Sequence, residues 1–168
     1  VKTVNRKISR LILFSQSWEF PPAYVNIHKI IKEIMLYSEE VTDRELICLS
    51  TRLANVEPIV KGNPDMLRQI ILSLILLALQ SLSGSDRLDI ETVHIPESSI
   101  IEIHFRAGGR EFLEKVSGTN TSAGMGLAII HQIMNLHHGS ARIEQGEKEN
   151  VDFILSFPLT EKKDTLPS

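Results

Sequence analysis

Residues 64–82 constrain the fold of this chain more than any other stretch, because they read as one helix that is apolar almost all round after Ile70. A helix without a polar stripe is stable only when neighbouring elements cover it on most sides. The sequence therefore predicts that this helix is central and buried. Ser73 and Leu77 stand four residues apart within it, and so lie on one helical face.

The composition is that of an ordinary globular domain. Of the 168 residues, 42% are hydrophobic and 23% are charged, which favours one domain with an appendage. The net charge of −3 offers no basic footprint for nucleic acid or for an anionic membrane surface. The longest apolar run, residues 70–79, is shorter than the roughly 20 residues that a spanning helix needs, and no signal peptide is visible. We therefore expect a cytoplasmic domain that binds no nucleic acid and inserts no segment into a membrane, whether or not its parent protein is anchored.

Three other helices are predicted from apolar spacing and capping residues. An amphipathic helix within residues 1–20 ends before the double proline at 21 and 22. Asn26 is expected to cap a second helix through IHKIIKEIMLYSEE, which carries one apolar stripe. The segment GMGLAIIHQIMNLHHG predicts a further helix that ends at Gly139.

The remaining apolar segments predict strands. LICLS and EPIVKG read as two brief strands, and LDIETVHI with IIEIHF reads as an antiparallel hairpin with one face in the core. SARIEQ and VDFILSFPL supply two more strands. The single cysteine, Cys48, falls in the first of these segments, fits a reducing compartment and is expected to be a small buried hydrophobe. Together the elements predict an α+β fold, a two-layer sandwich in which about three helices cover one face of a mixed sheet.

The order of these elements resembles the catalytic and ATP-binding domain of sensor histidine kinases, which have the Bergerat fold of the GHKL ATPase superfamily. NPDMLRQIILSLILLALQSL resembles the N box of that family, and VDFILSFPL resembles its closing strand. SAGMGLAIIHQIMNLHHGSARIEQ resembles the G2 box and its helix, and this is the most specific part of the match. The resemblance implies domain limits of 1–20 for the end of a dimerisation helix and linker, 21–160 for the ATPase-like domain and 161–168 for a frayed tail.

The N box departs from the family pattern at the positions that carry its chemistry. The resemblance implies that two asparagines would stand where this chain has Ser73 and Leu77, and that the second would give an amide oxygen to magnesium. Magnesium is a hard cation that requires oxygen ligands, and a leucine side chain has none. We therefore expect that Leu77 cannot take this role.

The G1 box and the lid depart as well. The resemblance implies an aspartate that accepts a hydrogen bond from the adenine amino group, and the corresponding stretch HFRAGG is interpreted as placing Arg106 there, followed by Gly108 and Gly109. Arginine carries only donors, so it would oppose another donor. The lid, REFLEKVSGTNTSA, is short and holds a single phenylalanine, Phe112, which leaves little to cover a triphosphate.

The G2 box keeps the glycines of the family pattern. Gly124, Gly126 and Leu127 form the entry to a helix, where exposed backbone amides and the helix dipole can bind phosphate. The alternative is that the glycines only permit a tight turn and close packing. Lys61, Arg68 and Arg110 could meet phosphates or could be ordinary solvated charges.

The resemblance implies a phosphoacceptor histidine that is followed by an acidic residue. None of the six histidines of this chain has that neighbour. His28, His94, His104 and His131 are followed by other residue types, so the acceptor is expected upstream. His131, His137 and His138 could suggest a metal, but three histidines around one helix end, without acidic companions, are read as surface or capping groups. No catalytic or metal residue is assigned.

These features lead to one function hypothesis and three alternatives. The leading hypothesis is a degenerate catalytic domain of a two-component sensor histidine kinase, a pseudo-ATPase with no expected cofactor that docks a response regulator or a partner kinase. It would form a homodimer through the N-terminal helix, whose stripe could alternatively be covered within the domain. The alternatives are an active kinase that binds Mg-ATP through a rebuilt site, a vestigial domain of a histidine phosphotransfer protein, and an ATPase-fold module outside two-component signalling. In a rebuilt site the missing oxygens could come from Asn63, Asp65, Asp86 or Asn120.

Overall fold

A computed structural model describes residues 23–45, 48–79, 82, 87–108, 123–146 and 150–161. The predictions for the N-terminal helix, for the lid and for most of the tail lie outside these residues. Within them the chain forms β1 (Ala23–Asn26), α1 (Ile27–Glu45), β2 (Cys48–Arg52), β3 (Ile59–Gly62), α2 (Pro64–Leu79), β4 (Arg87–Ile95), β5 (Ile100–Ala107), α3 (Ala123–Leu136), β6 (Ser140–Gln145) and β7 (Val151–Pro158), with a short 3₁₀ turn at Pro96–Ser98.

The main sheet has five strands in the order β2–β4–β5–β7–β6. Strand β2 runs parallel to β4, and the other pairs are antiparallel, so the sheet is mixed as predicted. The hairpin of β4 and β5 is confirmed, with Leu88 opposite Ala107 and Ile95 opposite Ile100. Strands β1 and β3 form a separate antiparallel pair, which the sequence did not predict because β1 has only four residues.

The helices cover one face of this sheet and close a single apolar core. Helix α2 lies between the other two, packing against α1 and against α3. Its residues Leu67, Ile71, Leu74 and Ile75 are fully buried, which confirms the prediction of a central helix. From the sheet, Phe105, Phe153 and Phe157 meet the helices with at most 1% exposure. The α+β two-layer sandwich is therefore confirmed.

The prediction that Asn26 caps a helix is confirmed. Its side-chain oxygen accepts a hydrogen bond from the backbone N–H of Lys29 at 3.2 Å, which satisfies one of the free donors of the first turn. The backbone N–H of Ile27 donates to the carbonyl of Pro58 at 3.1 Å, so the start of α1 is also tied to the strand pair below it.

The prediction that Cys48 is buried was wrong. Cys48 is exposed and free at the first position of β2, an edge strand of the main sheet. An edge strand is paired on one side only, so its end residues have fewer neighbours than the apolar character of the segment suggested. Among the residues that the structure describes, no helix is long and apolar enough to cross a membrane.

Helix α3 ends in a Schellman motif. The backbone N–H of Gly139 donates to the carbonyl of Met134 at 2.8 Å, and that of His138 donates to Asn135 at 3.1 Å. His138 has φ of 55°, in the left-handed region that glycine adopts without strain. The turn at Gly139 also lies against β7, because an added Cβ would come within 2.5 Å of the carbonyl oxygen of Ser156.

Replacing His138 by glycine is expected to raise the free energy of unfolding by about 0.5–1 kcal/mol, since the left-handed conformation costs a side-chain-bearing residue roughly 1–2 kcal/mol. Urea denaturation of the two proteins measures the difference. The matched control is His131→Gly, an exposed position inside α3, where glycine is expected to cost about 1 kcal/mol. Equal losses at both positions would contradict the strain at His138.

Candidate functional site

The candidate site is built on α2, whose N-terminus is fixed by Asn63. The side-chain oxygen of Asn63 accepts hydrogen bonds from the backbone N–H groups of Asp65, at 2.9 Å, and Met66, at 3.1 Å. This is N-capping, and it gives the amide a structural task. Asp65 is exposed and pairs with Arg68, which also binds Glu33.

Ser73 and Leu77 lie on α2 as the helical spacing predicts, and both are partly buried. Leu77 is partly buried and packs against the apolar core. The hydroxyl of Ser73 accepts a long hydrogen bond, 3.4 Å, from the side-chain amide of Gln69 one turn earlier. This face of the helix therefore offers the side-chain amide of Gln69, the hydroxyl of Ser73 and the apolar surface of Leu77.

Arg106 does not lie with these residues. Side chains alternate along β5, so that Ile103, Phe105 and Ala107 face the helices while His104 and Arg106 face the opposite side of the sheet. We call that opposite side, with Glu91, Glu102, His104, Arg106, Arg142, Asp152 and Ser156, the polar face. The predicted clash between Arg106 and an adenine amino group is therefore not supported by its position.

The guanidinium of Arg106 has partners of its own on the polar face. Its Nε donates to Asp152 Oδ2 at 3.0 Å, and its Nη1 forms an ion pair with Glu91. Burial by itself would lower the pKa of Arg106, but these two carboxylates raise it. The arginine thus joins β4, β5 and β7, which is a structural role.

Ala107 is the residue that sequence reasoning missed at this point of the chain. It is 1% exposed, faces the helices and belongs to the same core cluster as α2. Its methyl side chain can neither donate nor accept a hydrogen bond. The strict alternation of the hairpin could have shown that Ala107 faces the helices, because a shift of one residue moves a side chain to the opposite face of the sheet.

The glycines of the predicted phosphate cradle are only partly described. Gly108 follows β5, and an added Cβ there would lie 3.4 Å from the side-chain oxygen of Asn150. Gly124, Gly126 and Leu127 fall in the first turns of α3. Gly109 lies outside the described residues. Phosphate binding at these positions stays a prediction.

His137 is the second residue whose role the sequence did not indicate. It was read as a surface or capping group, but its side chain is 2% exposed. Its Nδ1 donates to the carbonyl of Ile133 at 2.6 Å, and its Nε2 accepts from the backbone N–H of Asn63 at 3.0 Å. Burial lowers the pKa of His137, so the imidazole is neutral in the tautomer that these two bonds require.

The His137 ring occupies the space above Gly62, and this explains both residues. A Cβ on Gly62 would lie 2.1 Å from His137 Cδ2 and 2.6 Å from Nε2. Only glycine leaves room for the ring to reach the N-cap of α2. The end of α3 is thereby joined to the start of α2.

The described residues include several of the positions at which the fold resemblance implies contacts to a magnesium nucleotide. They contain no group of three histidine, cysteine, aspartate or glutamate side chains that could hold a metal ion. Leu77 and Ala107 have no polar side-chain atom, and Asn63 is used as a cap. Asp86 and Asn120, the other oxygen donors suggested from the sequence, lie outside the described residues, as does Arg110.

Two known proteins similar to this chain are a histidine-protein kinase and a heme sensor protein. No family model matches it. The signal transduction histidine-protein kinase AtoS of Escherichia coli is 22% identical over 171 residues, covering 95% of this chain and 28% of AtoS. The heme sensor protein HssS of Staphylococcus aureus is 27% identical over 144 residues, covering 80% of this chain and 31% of HssS. The chain therefore spans less than a third of the length of these relatives.

Histidine kinases are among the solved structures that have this fold. The catalytic domain of ThkA matches with a TM-score of 0.71 at 20% identity, over 84% of this chain and 97% of that domain. ThkA in complex with the response regulator TrrA matches with a TM-score of 0.77 at 18% identity, over 96% of this chain and 49% of ThkA. Full-length ShkA in complex with AMPPNP matches with a TM-score of 0.74 at 17% identity, over 94% of this chain and 35% of ShkA. The chain is thus a relative of the sensor histidine kinases and has the fold of their catalytic domain.

Proposed function

We propose that this chain is the ATPase-like domain of a two-component sensor histidine kinase, that it has lost productive binding of Mg-ATP, and that it acts by docking. The observation that carries the proposal is the packing of Leu77 into the core, at the position where the resemblance implies a magnesium ligand. A side chain that stabilises the core by burial has no oxygen to give to a metal ion.

The residue at the end of β5 supports the same reading. Ala107 stands on the helix-covered face, buried and without a hydrogen-bonding group, so an adenine amino group would find no side-chain acceptor there. A buried donor left without an acceptor costs about 1–3 kcal/mol, which is a factor of roughly 5–150 in affinity. Two such losses at one site would weaken a micromolar nucleotide site by roughly 25- to 20,000-fold, and the larger losses in this range bring its dissociation constant to the millimolar level.

Docking to a partner protein is the function that we propose for such a domain. ThkA, which shares the fold, has been solved in complex with a response regulator. We therefore propose a response regulator, or a partner kinase, as the binding partner of this domain. A cytoplasmic location and a homodimer formed by the N-terminal helix belong to the same proposal.

The alternative of an active kinase with a rebuilt site is less well supported by the described residues. Asn63 is committed to capping α2, and Asp65 is an exposed partner of Arg68. Asp65 belongs to no group of three histidine, cysteine, aspartate or glutamate side chains that could hold a metal ion in the described part of the chain. The alternative then depends on Asp86, Asn120 and the segment between β5 and α3.

The test is phosphorylation of the full-length protein that contains this domain. Incubation with γ-labelled Mg-ATP is expected to leave the protein without phosphohistidine, whereas ThkA treated in parallel becomes labelled. A labelled histidine in the full-length protein, lost on Gly124→Ala or Gly126→Ala, would overturn the proposal in favour of an active kinase.

A further inference from the structure

The polar face of the sheet carries a continuous chain of charged side chains with His104 at its centre. Starting from β4, Glu91 pairs with Arg106, and Arg106 pairs with Asp152 at 3.0 Å. Asp152 bonds to His104 at 2.8 Å, and Glu102 on the other side of the ring bonds to Arg142 at 2.7 Å. The chain of contacts thus crosses β4, β5, β7 and β6, four neighbouring strands of the sheet.

His104 lies between two carboxylates, and each ring nitrogen faces one of them. Nδ1 forms a hydrogen bond with Asp152 Oδ2 at 2.8 Å, whereas Nε2 lies 3.3 Å from Glu102 Oε2 as an ion-pair contact and has no hydrogen-bond partner among the described residues. A neutral imidazole carries one N–H and so can donate to only one carboxylate, while an imidazolium can donate toward both. The ring is 8% exposed, so water contributes little to solvating either form. The geometry therefore favours the charged imidazolium.

The carboxylates around His104 outnumber the arginines that pair with them, so a further positive charge on the ring is favourable. In this network of ion pairs, Glu91, Glu102, Glu144 and Asp152 supply four negative charges, and Arg106 and Arg142 supply two positive ones. Of these groups, Asp152, Glu102 and Arg106 act directly on His104. A proton on His104 therefore reduces the excess of negative charge around the ring, and its loss increases that excess.

We infer that His104 is a pH-sensitive latch on the polar face, whose protonated ring holds Asp152 of β7 and Glu102 of β5 together. Glu102 in turn accepts hydrogen bonds from Ser156 at 3.0 Å and from both Nη atoms of Arg142. When the ring loses a proton, one of its two nitrogens no longer carries a hydrogen that it could donate to the carboxylate beside it. The pairing of β5, β7 and β6 is then weaker.

The direction of the pH dependence follows from the same contacts. The hydrogen bond to Asp152 raises the pKa of His104 above its ordinary value of 6.5. A raised pKa in the folded protein stabilises fully below the unfolded-state pKa, and this stabilisation is lost as the pH rises through the folded-state pKa. The latch is therefore closed below about pH 6.5 and opens on the alkaline side.

Two measurements on the whole chain test the latch. The first is a long-range ¹H–¹⁵N titration of the histidine rings of the unsubstituted protein between pH 5.5 and 9. Both nitrogens of His104 are expected to be protonated at pH 6.5 and to lose one proton at higher pH. A ring that is already neutral at pH 6.5 would overturn the inference, and this measurement requires no variant to fold.

The second measurement compares urea denaturation of the protein and of His104→Gln at pH 6 and pH 9. The folding constant of the unsubstituted protein divided by that of His104→Gln is expected to fall between pH 6 and pH 9. The fall is tenfold for each unit by which the pKa of His104 in the folded state exceeds its pKa in the unfolded state. Comparing the two proteins at each pH cancels the contributions of the other histidines. The control His131→Gln, exposed on α3 in the other layer, should follow the unsubstituted protein. A ratio that stays constant between pH 6 and pH 9 would contradict the latch.

Discussion

Replacing Gly62 by alanine is expected to lower the free energy of unfolding by about 3 kcal/mol, because the new methyl group would overlap the buried ring of His137. The Cβ would lie 2.1 Å from Cδ2, far inside any van der Waals contact. The ring cannot rotate away without breaking its hydrogen bonds to Ile133 and to the backbone of Asn63. Overpacking costs roughly 1–3 kcal/mol, and a lost buried hydrogen bond adds about 1–3 kcal/mol.

Equilibrium denaturation in urea measures this loss, and two further variants separate steric overlap from a general effect of alanine. Gly146→Ala is the matched control, since a Cβ there meets Asn150 at an ordinary 3.5 Å and is expected to change stability by less than about 0.5 kcal/mol. In a His137→Ala background the cost of Gly62→Ala should nearly disappear, because the overlapping ring is gone. Additive losses in the double variant would contradict the packing of His137 over Gly62.

Replacing Arg106 by aspartate is expected to lower the free energy of unfolding by about 2–4 kcal/mol and to create no nucleotide affinity. The substitution brings a third carboxylate between Glu91 and Asp152, whose side chains are only 24% and 15% exposed. Breaking a buried charge pair costs roughly 3–5 kcal/mol, and the partial exposure of Arg106 reduces this figure. Burial by itself would raise the pKa of Asp152, and hydrogen bonds from His104 and Arg106 now hold it below its ordinary value.

Thermal and urea denaturation, with titration of Mg-ATP, check both parts of this expectation. Arg106→Lys is the control, since it keeps one positive charge near the two carboxylates and is expected to cost about 1 kcal/mol. Nucleotide binding that appears in Arg106→Asp would show that position 106 lies in the nucleotide site, against its placement on the polar face. Unchanged stability would show that the ion pairs of Arg106 contribute nothing.

The fold could be predicted from the sequence because its strongest patterns are local. Alternation in residues 88–95 and 100–105 fixed the hairpin, and the apolar run after Ile70 fixed the central helix. The four-residue strand β1 was not predicted, because it pairs with β3 across more than 30 residues and no local sequence pattern indicates such pairing. The exposure of Cys48 followed from the position of β2 at an edge, which only the assembled sheet determines.

The candidate site was harder to predict, because its residues are defined by faces and by distant contacts. Arg106 was assigned to the nucleotide side from its place in the motif, and one step of alternation puts it on the other side of the sheet. His137 looked like one of several histidines at a helix end, yet its partner Asn63 is 74 residues away. The absence of an oxygen at Leu77 was visible in the sequence, since side-chain chemistry does not depend on the fold.

The measurement that tests the central claim most directly is calorimetric titration of this domain with Mg-ATP, with ShkA, which has been solved with AMPPNP, as the positive control. We predict no saturable heat at millimolar nucleotide, and no rise in the thermal midpoint, because a bound ligand would stabilise the folded state in proportion to its occupancy. Saturable, magnesium-dependent binding in the low micromolar range would contradict the account and would mean that the nucleotide site has been rebuilt.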